Sequence, residues 1–240
     1  MSTLLKGINT NKCSGPDGTD DSTMKFCADQ LSGVLRHLFK DSIDQHSVPS
    51  LWKISTIIPV PKKSTPKQFI DLHPVALTLF VMKTLEKIVK SLILSAVYPM
   101  FGPLQFAYRA GRGFEDAKLF LLDKLNKHLE LPQSHARILF ADFSSAFNTM
   151  QPHILTRKLI SNFSLQHDLV PWIADFLTDR CQQVFVNMLS SVQAVAYTGS
   201  LQGCVLSLLL YILYTDDCRS NRENSYLIKF TDDSALLSLL

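Results

Sequence analysis

An α+β fold is predicted for this chain of 240 residues, and three observations carry the prediction. Apolar residues recur at three- and four-residue steps through several long segments, the mark of helices with one buried face. Short β-branched or apolar runs stand between those segments in no regular alternation, which disfavours a doubly wound parallel sheet. The C-terminal stretch YLIKFTDDSALLSLL holds two strand-like runs parted only by Thr-Asp-Asp, the spacing of a hairpin. With 46% hydrophobic residues the chain can bury a sizeable core, as one large domain or two small ones.

The elements follow in order. Met1 to Thr23 is rich in Gly, Asp, Ser and Thr and includes GPDG, a turn signature, so it reads as a loop. From Met24 to about Ile43, the residues Phe26, Cys27, Leu31, Val34, Leu35, Leu38 and Phe39 form one apolar stripe and predict a helix. Ile54 to Val60 reads as a strand, ended by Pro61 and followed by the basic loop KKSTPKQ. Long helices are predicted from about Leu77 to Val97 and from Phe114 to Leu131, the second closed by Pro132. Arg137 to Phe143 is a short hydrophobic strand with a single acid, Asp142, near its end. Pro152 suits the first turn of a helix running to about Phe163, and Leu169 to Leu177 makes another. QVFVNM and QAVAY look like paired strands around a Ser-Ser turn, and Leu201 to Tyr214 is helical in hydrophobicity and length.

Composition narrows the function classes. Five cysteines are odd in number and lack any CxxC or Cys/His ligand spacing, so neither a disulfide framework nor a zinc site is expected. The longest apolar run, Val205 to Tyr214, is too short to span a bilayer, and no signal peptide opens the chain. An intracellular setting, nuclear or cytoplasmic, and no membrane partner are therefore expected. The net charge of +3 does not call for a polyanion. Between Leu51 and Lys90, however, Lys53, Lys62, Lys63, Lys67, Lys83, Lys87 and Lys90 face only Asp71 and Glu86. That excess reads either as a solvated surface or as a groove for phosphates.

Two Asp-Asp pairs lie close together near the C-terminus. Asp216 and Asp217 follow the helix that ends near Tyr214, where a negative charge is least welcome, so their expected role is to end the helix and begin a turn. Asp232 and Asp233 stand at the hairpin tip, where Asp tolerates the positive φ of tight turns. If the strand closed by Asp142 pairs beside this hairpin, three carboxylates converge. Such a cluster calls for cations, and hard oxygen ligands suit Mg²⁺, with Mn²⁺ as a substitute. Two such ions about 4 Å apart would activate an attacking hydroxyl and stabilise a leaving pyrophosphate oxygen.

These residues resemble the reverse transcriptases of non-LTR, LINE-type retrotransposons. The similar segments run in order over nearly the whole chain: KCSGPDGTD, WKISTIIPVPKK, DLHPVALTLFVMKTLEKIV, PLQFAYRAGRGFEDA, ADFSSAFNT, TGSLQGCVLSLLLYILYTDD and LIKFTDDSALL. The resemblance implies a right-hand polymerase, with fingers up to about Gln133 and a palm with an antiparallel sheet from residue 134 onward. It implies RNA-directed DNA synthesis from dNTPs, on an RNA template carrying a DNA primer held through its phosphates. Asp142 and Asp232 would ligate the metals with Asp233 in support. Phe147 would be the steric gate that refuses a 2′-hydroxyl, Gln202 and Gly203 would line the nucleotide pocket, and Lys62 or Lys63 would meet the triphosphate. Core packing for Phe147 and plain solvation for the lysines remain the alternatives.

The chain departs from the family pattern in four places. His73 stands where Arg is usual, without the guanidinium fork that grips a triphosphate. Leu201 and Leu208 replace prolines of the Gln-Gly motif, and Thr231 replaces an Ala beside the catalytic pair, a change expected to be tolerated. By the resemblance the thumb and the last palm strands lie beyond Leu240, so synthesis by this fragment is expected to be weak or absent. A second reading is a decayed, non-catalytic remnant that at most binds nucleic acid, and a third is an unrelated two-metal phosphotransferase.

Overall fold

A computed structural model describes residues 1–10, 15–142, 146–165, 168–200 and 203–240. The opening is not all loop. Helix α1 (Ser2–Lys6) buries Leu5, and α2 (Asp21–Phe26) starts at Asp20, whose side chain accepts the Ser22 amide N–H. Helix α3 (Ala28–Asp44) buries Leu35 and Phe39 of the expected stripe but leaves Val34 and Leu38 exposed, and the helical run breaks at Cys27 between α2 and α3, with Phe26 exposed. Strand β1 (Ser55–Pro61) pairs antiparallel with β2 (Leu72–Thr78), and α4 (Phe80–Val97) follows. Leu77 and Thr78, read from the sequence as the start of a helix, thus belong to a strand. Their hydrophobic run with Val75 and Ala76 has no period long enough to separate the two readings.

Helix α5 (Phe114–Leu129) leads into β3 (Ala136–Asp142). The one-turn α6 (Ala146–Thr149), α7 (Pro152–Ser161) and α8 (Leu169–Leu177) come next, with Pro152 in the first turn of α7. Strands β4 (Arg180–Val186), β5 (Leu189–Ser190) and β6 (Ala194–Ala196) then precede α9 (Ser207–Tyr214), β7 (Ser225–Phe230) and β8 (Asp233–Leu239). The turn after β4 sits at Asn187 and Met188, both at positive φ, rather than at the Ser-Ser pair. Ala194–Ala196 does pair with β4, but at its base, Arg180 opposite Ala196.

Among the described residues the strands form two sheets. In β3-β8-β7 every pairing is antiparallel. The other sheet, β2-β1-β4-β5 with β6 beside β4, is mixed, because β1 and β4 run parallel. The expectation of antiparallel strands alone is corrected by that pair, which sets Ser55 beside Gln182, 127 residues away in sequence, a join that no local signal reveals. Helix α5 covers one face of β3-β8-β7, where Phe106, Ala117 and Ile228 pack with Phe120, Leu121, Tyr226 and Phe230. No helix among the described residues is long and apolar enough to cross a membrane.

The main core lies between α3, α4, α7, α8 and α9. Trp172, fully buried, stacks on Phe176 at 5.5 Å and donates its indole N–H to the Ser42 hydroxyl at 3.0 Å, so the polar end of the ring is satisfied inside the core. Burial of each such large side chain stabilises the fold by about 1.5–3 kcal/mol. A buried ion pair ties α8 to the segment after α3. Lys53 is 6% exposed and lies 2.9 Å from Asp175, whose other oxygen accepts the Val48 amide N–H. Asp175→Ala leaves Lys53 and that amide without their partner, and urea unfolding is expected to show a loss of about 3 kcal/mol. Lys53→Met combined with Asp175→Leu removes both charges and is expected to recover most of it.

Candidate active site

The hairpin between β7 and β8 places the acidic tip. Phe230 pairs with Asp233, so only Thr231 and Asp232 form the turn. Positive φ falls on Thr231, at 55°, and not on an aspartate. A turn with positive φ at its first central position favours Gly, and a β-branched side chain suits it badly. The Ala-to-Thr departure therefore sits at a strained position, one where its hydroxyl donates to the Asp232 carboxylate at 2.8 Å.

The register of β3 on β8 runs from Ala136 opposite Leu239 to Asp142 opposite Asp233. Directly paired residues point to one face of a sheet, with Cβ atoms about 4.5–5.5 Å apart. Asp142 and Asp233 are thus neighbours by register, with Asp232 adjacent in the turn. Among the described residues no Lys or Arg pairs with any of the three. Nor are three or more His, Cys, Asp or Glu side chains gathered, among the described residues, closely enough to hold a metal ion by themselves. Paired carboxylates unneutralised by the chain still fit Mg²⁺, which takes one or two of them and completes its shell with water and substrate phosphates.

The other acidic pair is structural. Asp216, 4% exposed, is bound by Arg219, and Asp217 lies 2.6 Å from Lys158. Lys229, on β7, buries its ammonium at the end of α9, donating to the carbonyls of Thr215 and Cys218 at 2.8 and 3.1 Å. Burial pushes its pKa down, against the charge of Asp216.

Phe147, in α6, packs its ring on Tyr211 of α9, with centroids 5.4 Å apart. The Phe147 carbonyl accepts the Ser200 N–H at 2.7 Å, and the Met150 carbonyl accepts that of Gly199 at 2.7 Å. A Cβ on Gly199 would stand 2.6 Å from the Asn148 Cα, and its φ is +81°, so glycine is required there. Gly203, at φ +111°, approaches the Ala76 carbonyl of β2, where a Cβ would come within 2.9 Å. Gln202 and Leu201 lie outside the described residues, and Leu208 sits in the first turn of α9.

Lys62, Lys63 and His73 belong to the β1–β2 hairpin of the other sheet, His73 opposite Val60. Lys63 lies 2.8 Å from Asp71, and its hydrogen bond holds that carboxyl below the usual range. The Lys62 ammonium has no ion pair among the described residues.

Beneath the Gln-Gly segment is a buried charge that the sequence did not single out. Glu86, fully buried in α4, accepts the Leu206 amide N–H at 3.0 Å, just ahead of α9. Arg180, 2% exposed, donates to the Phe176 carbonyl at 3.0 Å and toward the Cys204 sulfur at 3.8 Å. Burial raises the Glu86 carboxyl, outweighing the backbone N–H and the Arg180 charge, and pushes the Cys204 thiol up to about 12. Only the EKIV periodicity of α4, which puts Glu86 on the apolar face beside Leu85 and Val89, could have marked it.

The family model for reverse transcriptase (RNA-dependent DNA polymerase) matches residues 60–239, a span that takes in Asp142, the Gln-Gly segment and the whole hairpin. The chain belongs to the reverse transcriptase family. It is also similar to a probable RNA-directed DNA polymerase from transposon BS of Drosophila melanogaster, 22% identical over 246 residues, covering 97% of this chain and 26% of that protein. The chain therefore spans about a quarter of the length of this relative. Within the reverse transcriptase match, Glu86 holds the start of the helix that carries Tyr211. Because the folded protein binds the Glu86 proton more tightly than the unfolded chain, its contribution to stability is full below the ordinary value of 4.5 and is lost as pH rises through the raised value. Glu86→Gln removes that loss. Unfolding free energies of parent and variant are expected to be close below pH 4.5 and to diverge in favour of the variant above it; a gap independent of pH would contradict the buried charge.

Proposed function

We propose that this chain is the fingers and palm of a non-LTR retrotransposon reverse transcriptase, an RNA-directed DNA polymerase that adds deoxynucleotides to a primer 3′-hydroxyl on an RNA template. The fingers extend to about Gln133 and the palm runs from residue 134. The pairing of Asp142 with Asp233, beside Asp232 in a two-residue turn, is the observation that carries the reading. Asp142 and Asp232, with Asp233 in support, would hold two Mg²⁺ ions. When bound, these supply activation of the primer hydroxyl and stabilisation of the leaving pyrophosphate.

The chain's own residues bind and orient the nucleotide. Phe147 stands where a ring beneath the sugar refuses a 2′-hydroxyl. Gly203 lies close against the Ala76 carbonyl of β2, which supports its part, with Gln202, in lining the nucleotide pocket. Lys62 meets the triphosphate as a point charge, having no ion pair among the described residues, whereas Lys63 is engaged by Asp71. His73 replaces an arginine fork by a single, mostly neutral ring, which lowers nucleotide affinity.

Primer extension on an RNA template with Mg²⁺ tests the assignment. Asp142→Asn and Asp232→Asn are each expected to reduce synthesis by about a thousandfold or more, since nucleotidyl transfer depends on the metal ligands. Extension by Asp142→Asn at the parent's rate would overturn it.

A further inference from the structure

Tyr211 has no part in the function so far described, yet its ring packs on that of the gate residue Phe147. It lies in the middle of α9, 4% exposed, with its ring against Phe147 at 5.4 Å and an interplanar angle of 53°. Its phenol is pushed up to about 12, first by burial and then by neighbouring negative groups that include Asp232 and Asp142. The hydroxyl is therefore neutral at physiological pH and lies within the field of two carboxylates from different strands. Its ring thus packs on Phe147, while its phenol feels the charge of Asp142 and Asp232.

Phe147 cannot hold its own position. Helix α6 is four residues long, below the length at which a helix sustains itself. Two backbone bonds from Gly199 and Ser200 fix its main chain, but they leave the ring free to turn about its side-chain torsions. The wall behind that ring is Tyr211, and α9 is in turn held at its start by Glu86 and at its end by Lys229. Tilted aromatic contacts of this kind favour particular geometries as well as contact area.

We propose that Tyr211 is a positioning residue that sets sugar discrimination by holding the Phe147 ring in place. The inference rests on the reverse transcriptase reading of the site and adds to it the residue on which the gate leans. A gate ring that can tilt away admits a 2′-hydroxyl, so the ring of Tyr211, not its hydroxyl, is the part that matters for selectivity.

The test is single-nucleotide extension of a DNA primer on an RNA template, comparing kcat/KM for dTTP and UTP in the parent, Tyr211→Phe, Tyr211→Leu and Tyr211→Met. Tyr211→Phe keeps a ring and is expected to hold the parent's dTTP/UTP ratio within about twofold, whereas Tyr211→Leu lowers it about tenfold, chiefly through a lower KM for UTP. Tyr211→Met fills similar volume without a ring and is expected to behave as Tyr211→Leu, so the outcome does not depend on one variant folding. A merely structural role would lower both substrates together and leave the ratio untouched. An unchanged ratio in Tyr211→Leu or Tyr211→Met, with extension intact, overturns the inference alone; equal loss of the ratio in Tyr211→Phe does the same. Extension that persists undiminished in Asp232→Asn removes the polymerase reading, and the inference with it.

Discussion

The register of β3 on β8 is the constraint from which the site follows. A two-residue turn leaves β7 and β8 no freedom to slide, and seven successive pairs then bring the end of β3 level with the hairpin tip. A slip of one residue would move every side chain of β3 to the opposite face and carry Asp142 away from Asp233. Along β3 the register is carried by the seven backbone pairs with β8, while the residues of this sheet that pack with α5, Tyr226, Ile228 and Phe230, lie on β7. The carboxylates are thus adjacent because the two-residue turn and the β3–β8 pairs together set one register.

A second set of contacts draws α6, β2 and the start of α9 together around Gly199 and Gly203. Gly199 touches the backbone of α6, Gly203 touches β2, and Glu86 of α4 holds the amide of Leu206. Each joins parts of the chain far apart in sequence, the glycines by close main-chain approach and Glu86 by its side chain, so the arrangement tolerates little change at Gly199 and Gly203. The departures from the family pattern fall elsewhere. Leu208 lies within the first turn of α9, where proline is well accommodated but not required. Thr231 is the costlier one, since it places a β-branched residue at positive φ in the very turn that fixes the register.

What could be read from the sequence was local. Phe114 to Leu129, Pro152 to Ser161 and Leu169 to Leu177 show their helices in the spacing of apolar residues and the placement of proline. The hairpin showed itself in two apolar runs around a short polar break. Leu77 and Thr78 were misread because their strand identity comes from pairing with β1, and the parallel join of β1 to β4 has no local signal at all. The same division holds in the site. Asp142, Asp232 and Asp233 stand out as acids in apolar surroundings, whereas Tyr211, Gly199 and Glu86 act through partners supplied by distant segments. Tyr211 in particular looks like one more residue of an apolar helix until Phe147 is placed against it.

The central claim is that carboxylates from β3 and from the β7–β8 turn share divalent ions. Localised backbone cleavage tests it most directly: ferrous iron is exchanged into the Mg²⁺ sites and, with ascorbate and peroxide, cuts the chain beside the bound metal. Cuts are expected both near Asp142 and near Asp232, suppressed together by excess Mg²⁺ and both lost in Asp142→Asn. Cleavage confined to one of the two segments, or unaffected by Mg²⁺, would contradict a shared site.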